Sequence, residues 1–372
     1  MNVQTIDYVV GDTLDTKLLR IQEAFKHEHF LYSVWPFYTS KGKTAKLAKA
    51  GIHGYVGHEG PIMLDSGGFQ MVKKTANIAP TDTMRIYQAC QMRQGDYAVC
   101  LDHCARPNET PAERMRKIQL TNANYRVMSA EDARVLHVIH GWTRKELEVS
   151  LSPLVQQGKM AALGSYFAMM TLPANLTMMT MNVGLDELLV DTSLKQLIIK
   201  RFLVFLELLR EHKLDEYKIH VLGASSGNSS HCLWYAGMDQ MDSANWRIKA
   251  AYGKIGFPEK TEVKVSKNPS TFGATGWKDE YDIYLRACEC PACTGLSLAE
   301  RREILGTSFN ARAVHNVHVY LAERQIARDL TGTLAYRRYL EKRFVRSTFW
   351  KLFFKKINES RHQKTLDAFV KL

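Results

Sequence analysis

Eight short apolar runs, each giving way to a polar turn or a helix-like pattern, constrain this chain more than any other feature. They are YVVG (8–11), FLYSVW (30–35), PIML (61–64), YAVCLD (97–102), VLHVIH (135–140), MAALG (160–164), KIHVLG (218–223) and GMDQMD (237–242). Several are apolar on both faces, as parallel strands covered on both sides must be. Helical patterns lie between them: 81–94, opening on Thr81; 110–128, with Thr110, Pro111 and Glu113 as its start signal; 185–213; 228–236; and 243–252. This alternation predicts an α/β fold, a (β/α)8 TIM barrel. An open doubly wound sheet is the competing arrangement, because closure is invisible in a sequence.

A chain of 372 residues, 45% of them hydrophobic, supplies one large core or two modest ones. It has no run of about 18 uncharged apolar residues, so no transmembrane helix is expected. The opening MNVQTIDYVVGD lacks a basic head and an apolar signal core. The expected location is the cytoplasm, a host's cytoplasm if a phage encodes the chain. After about residue 265 the composition shifts to a cysteine triplet and then to helices rich in Arg, Lys and aromatics. The division this suggests is a catalytic barrel over 1–265, a zinc-binding subdomain completing it over 266–330, and basic-aromatic C-terminal helices over 331–372. The net charge of +12 suits a polyanionic partner, because Lys and Arg release counterions from phosphates.

In a parallel barrel, chemistry gathers at the C-terminal strand ends. Asp65 follows PIML, Asp102 follows YAVCL and Asp242 ends GMDQM. Any one of them reads equally as a helix N-cap; three on one rim read as a site. Paired carboxylates fit glycosidic chemistry, one attacking an anomeric carbon and the other handling protons. Gly67 and Gly68 beside Asp65 would let a flat ligand approach the backbone, with Phe69 against its face. Cys288, Cys290 and Cys293 form a C-x-C-x-x-C triplet, which reads as metal binding in a chain of this kind.

LDSGGFQ (64–70), LDHCARP (101–107), VIHG (138–141), HVLG (220–223), GMDQMD (237–242), CECPAC (288–293) and HNVHVY (315–320) occur in that order. Order and letters together resemble the tRNA-guanine transglycosylase superfamily. Members of that family are zinc-containing (β/α)8 barrels that swap a guanine in a polynucleotide for a 7-deazaguanine with retention. The resemblance implies Asp242 as the nucleophile, with Asp239 as the lower-ranked alternative, and Asp65 as the general acid/base. Asp102 would read the base's Watson–Crick edge, Ser66 would contact the base, and Phe69 and Leu222 would sandwich it. Gly164 falls, more loosely, where the family sets backbone against the base carbonyl. Cys104 matches a position beside the base and reads equally as a small buried hydrophobe. His315, the histidine followed by Asn, would join the three cysteines on a structural Zn2+, with His318 as the alternative ligand.

The chain departs from the family at three places. His140 stands where a glutamine is usual, either touching the base or serving as a satisfied core histidine. SANWRIKAAYG follows Asp242 in place of a Pro-Thr-Arg run, leaving Arg247 and Lys249 as candidate phosphate contacts. The family's G-G-L-A run becomes LGSYFAMM. These differences point to the DNA-guanine transglycosylase branch, with DNA and a 7-deazaguanine base of the preQ0 type as partners. A tRNA enzyme is the alternative, and a non-catalytic nucleic-acid-binding partner subunit the second. No further RNA-binding domain is expected after residue 330. The basic, aromatic stretch 336–364 reads either as tracking phosphates and wedging between bases, or as an amphipathic helix with Trp350, Phe353 and Phe354 packed inward. A homodimer or helper proteins remain open partners.

Overall fold

A computed structural model describes residues 6–12, 21–68, 70, 78–154, 160–164, 192–214, 216–224, 227–260, 262–265, 277–345 and 347–370. Strands β1 (Asp7–Asp12), β2 (Phe30–Ser33), β3 (Ile62–Asp65), β4 (Tyr97–Val99), β5 (Val135–Ile139), β6 (Met160–Leu163), β7 (Lys218–Val221) and β8 (Gln240–Ser243) pair in parallel, in chain order. β8 then pairs back onto β1, with Asp7 opposite Gln240 and Val10 opposite Ser243. That last pairing closes the barrel and rules out the open sheet. Every residue of β5 and β6 is buried, which is why their sequences run apolar without alternation.

All eight expected strands are present, several with shifted ends; the fourth stops at Val99 and the seventh at Val221. The second stops at Ser33 because Pro36 starts a short helix. The eighth starts only at Gln240, because Gly237 turns the chain with a left-handed φ of 101°. The outer layer comprises α1 (Ile21–Ala24), α2 (Trp35–Tyr38), α3 (Lys41–Val56), α4 (Pro80–Cys90), α5 (Pro111–Glu131), α6 (Arg144–Leu151), α7 (Thr192–Glu211), α8 (Gly227–Ala236) and α9 (Asn245–Ala251). Beyond it come the short strands β9 (Lys254–Ile255) and β10 (Val263–Lys264), then α10 (Glu280–Arg286), α11 (Leu298–Thr307), α12 (Phe309–Leu330), α13 (Leu334–Arg343) and α14 (Thr348–Val370).

Local chemistry accounts for several helix starts. The Thr110 hydroxyl accepts from the amide of Glu113 at 3.2 Å, as its start signal foretold. The start of α4 differs from expectation: Ala79 holds the cap position and Asp82 reaches back to its amide, with Pro80 next. Four helices of this layer, α1, α2, α3 and α6, were not foreseen. Of the expected helix at 185–213, residues 185–191 lie outside the described ones.

A large core fills the barrel and the layer around it. A second, smaller cluster joins Ile255, Phe257, Val263, Tyr281, Leu285, Cys290, Cys293 and Leu305. Helix α12 ties the two together. Asn316 donates to the carbonyls of Trp246 and Lys254 and accepts from the amide of Gly256. Tyr320 stacks on Tyr8 of β1 at 5.0 Å.

The aromatics of the C-terminal helices are committed to packing. Phe353 meets Phe202 of α7, and Phe354 meets Tyr235 of α8. Phe344, Phe353 and Phe354 are buried, each side chain contributing on the order of 2–3 kcal/mol. They are therefore not wedges for bases, whereas Lys342, Lys351, Lys355 and Lys356 remain exposed. No helix among the described residues is long and apolar enough to cross a membrane.

Candidate active site

Asp65 and Asp242 lie at the C-terminal ends of β3 and β8, and Asp102 lies three residues beyond β4. Parallel closure brings these ends to one mouth. Asp239 begins the return to β8 at the other mouth, where its side chain accepts from the amide of Ile219 at 2.9 Å. Three residues of strand separate it from Asp242, about 10 Å, so it has no place in this cluster.

The three carboxylates have different partners. Asp242 uses one oxygen, Oδ1, to accept from the Gly223 amide at 2.8 Å and from Nε2 of His220 at 3.1 Å. No hydrogen bond from the described residues reaches its Oδ2. Asp102 pairs with Nε2 of His140 at 2.9 Å through Oδ2, and the Ser66 hydroxyl donates to its Oδ1 at 3.4 Å. Among the described residues no histidine bonds Asp65. The Gly67 amide donates to it at 3.2 Å, and the nearby Ser33 hydroxyl favours its anion. Burial, and then the negative charges of Asp102 and Asp242, push the Asp65 carboxyl up to about 7. Both histidines are almost wholly buried, and a carboxylate facing Nε2 assigns the proton to that nitrogen in each.

The glycine pair has a local purpose as well. Gly67 has a φ of 85°, and a side chain there would meet the Trp35 ring at 3.1 Å. A Cβ on Gly68 would lie 2.0 Å from Asp102 Oδ1. Gly68 thus makes room for the Asp102 carboxylate itself. Gly68→Ala should fold but displace Asp102. If Asp102 reads a base, as the resemblance implies, KM for that base should rise at least about tenfold, because a 1 Å misplacement is costly in a preorganised site; an unchanged KM would contradict this.

The other expected residues can be placed around this frame. Ser66 is buried under Tyr38, whose hydroxyl donates to the Ser66 carbonyl at 3.2 Å. Gly164 abuts His140, where an added Cβ would sit 2.3 Å from Cε1. Leu222 is half-buried beside Gly223, and Cys104 is buried two residues beyond Asp102. Phe69 lies outside the described residues. Arg247 approaches Asp12 at 3.9 Å. Lys249 is half-buried, with Glu262 at 3.5 Å and the Tyr320 ring at 5.2 Å.

Sequence reasoning overlooked Asp12 and His220. Asp12 ends YVVGD and could have been found by the same strand-end rule. His220 was quoted only as part of HVLG; a histidine inside an apolar strand was the available signal.

Away from the mouth, Cys288, Cys290, Cys293 and His315 place four ligand atoms within 4.8 Å of one another. The sulfurs lie 3.5, 3.6 and 3.8 Å from His315 Nδ1. Tetrahedral bonds of about 2.3 Å to sulfur and about 2.0 Å to nitrogen require roughly 3.5 Å. His315 Nε2 donates to the Gly256 carbonyl at 2.9 Å, which turns the Nδ1 lone pair toward the sulfurs. These four residues could hold a metal ion, and His318 is not among them.

A family model described as queuine tRNA-ribosyltransferase (TGT) matches residues 13–345. A search of curated proteins finds no match.

Proposed function

Because the chain belongs to the queuine tRNA-ribosyltransferase family, whose enzymes exchange guanine bases, we propose that it replaces guanine in DNA with a 7-deazaguanine of the preQ0 type. The observation that carries this reading is the sorting of the three carboxylates. Asp242 and Asp102 each face a histidine, whereas Asp65 does not and keeps its proton to about pH 7. One pocket therefore offers a held anion and a carboxyl that changes charge near neutrality.

In this reading Asp242 is the nucleophile. With Oδ1 held by two donors, Oδ2 attacks C1′ of a flipped-out nucleotide. The C1′–N9 bond breaks, and guanine leaves with its electron pair and takes a proton from Asp65. N9 of the incoming deazaguanine then attacks C1′ and passes its proton to Asp65, while Asp242 departs as a carboxylate. Two inversions retain the configuration. Asp102 accepts from N1–H and the exocyclic amine, a pattern that adenine lacks. Ser66, Cys104, His140, Gly164, Leu222 and Phe69 surround the base. Cys288, Cys290, Cys293 and His315 hold zinc in a closed, structural site.

Support for DNA comes from the run after Asp242. It lacks the Pro-Thr-Arg pattern of tRNA enzymes, and its Lys249 is occupied by Glu262 and Tyr320. Exchange in tRNA is the second reading, favoured by the family's description. Labelled guanine or 7-deazaguanine offered with duplex DNA and with tRNA in parallel separates the two. Incorporation into tRNA alone would overturn the DNA reading.

Asp65 also ties activity to stability. Its pKa is raised on folding, so ionising it costs stability. That cost is absent below about pH 4 and complete above about pH 7. Asp65→Asn should abolish exchange yet stabilise the fold at pH 8 by on the order of 1–4 kcal/mol. Thermal melts of both proteins at pH 5 and pH 8 check this; a variant less stable than wild type at pH 8 would refute it.

A further inference from the structure

Residues 29–58 contain no Asp or Glu. Within them, α3 exposes Lys41, Lys43, Lys46 and Lys49. None of the four makes an ion pair among the described residues. By contrast, the exposed arginines Arg85, Arg116, Arg302 and Arg337 each meet an acid. The α3 arrangement works against its own helix. Lys41 and Lys43 occupy a first turn without an acid, where the helix dipole disfavours cations. Lys43, Lys46 and Lys49 follow at three-residue steps, so like charges are neighbours. An anion laid along the face would relieve both.

The rest of that face says what kind of anion. Between the lysines its exposed residues are Gly42, Ala45, Ala48 and Ala50. It has no large apolar group to enter a membrane and no aromatic or Arg anchor for a protein partner. Small residues between cations let an extended charged backbone come close. The helix also starts at the mouth of the barrel. Ser40 caps it, its Thr44 hydroxyl donates to the Phe37 carbonyl, and Tyr38 of α2 bonds the Ser66 carbonyl beside Asp65.

We propose that the lysine face of α3 binds the phosphate backbone of the nucleic acid whose base enters the pocket, a role that rests on the base-exchange reading above. The test is the salt dependence of duplex DNA binding by the full chain, followed by fluorescence anisotropy. For a variant with Lys41, Lys43, Lys46 and Lys49 all changed to Ala, the slope of log Kd against log salt should fall by about 3.6, since each phosphate contact contributes about 0.9. Affinity at physiological salt should weaken on the order of tenfold to a hundredfold, while kcat at saturating DNA stays unchanged. The Lys→Arg quadruple should keep the wild-type slope. Removing the paired Arg85, Arg116, Arg302 and Arg337 together should change it by less than about 1. An unchanged slope in the alanine variant, or an equal change in the arginine control, overturns the proposal. Base exchange by the wild type is scored separately: exchange with an unaltered slope refutes only the α3 surface, and an altered slope without exchange refutes only the enzymatic reading. A wild-type chain that binds anionic vesicles but no polynucleotide refutes the α3 proposal.

Discussion

Asp242→Ala will abolish base exchange, by a factor on the order of 10⁴ or more, while leaving the barrel folded. The two neighbouring carboxylates are committed elsewhere. Asp102 is engaged by His140 and Ser66, and Asp65 holds a proton that it must hand on. The alanine variant also leaves the Gly223 amide and His220 without their acceptor, at a cost of about 1–3 kcal/mol. Asp242→Asn is the cleaner companion. Its amide oxygen still accepts both bonds but cannot attack C1′. Single-turnover exchange and denaturing gels for a protein–polynucleotide adduct measure the effect. A covalent adduct trapped on Asp242→Ala would give the nucleophile to another residue.

Loss of the metal ligands should produce the largest change in stability. Three thiolates and an imidazole satisfy a tetrahedral ion completely, leaving no position for a catalytic water. Structural zinc contributes about 10–16 kcal/mol of apparent binding energy in small zinc domains. Cys290 and Cys293 are buried in the same cluster as Phe257, Tyr281 and Leu285. Cys293→Ser or prolonged chelation should therefore dissolve that cluster and lower Tm by at least about 10 °C. Trp277 stands 6.3 Å from Phe257, so its fluorescence reports the loss. Elemental analysis finding no metal, together with an unchanged Tm for Cys293→Ser, would refute the site.

The barrel could be read from the sequence because its strands are apolar on both faces, a pattern that few other architectures require. Helix α3 could not. In its first ten residues only Leu47 is buried, so it carries almost no apolar period. Helix α6 did have a signal, Thr143 with Glu146 three residues on, which form a reciprocal cap. The three aspartates were legible as strand ends. Their sorting was not, because it depends on register: His220 reaches Asp242 only because β7 and β8 pair with Val221 opposite Met241. Composition also could not tell which face of 336–364 was wet. The aromatics that looked available for bases lie against α7 and α8.

The closure of the barrel by β8 has a consequence for how the chain is made. β1 is synthesised before the other seven barrel strands, yet its partner on one side is β8, with Asp7 opposite Gln240. Arg324 then clamps Asp7 from 317 residues away, and Tyr320 covers Tyr8. Through most of synthesis that edge of β1 has no neighbour, and such edges invite pairing with other chains. Nascent chains halted before residue 240 should be clients of chaperones and proteases, and the protein's yield in a cell is then set by how long that first strand waits.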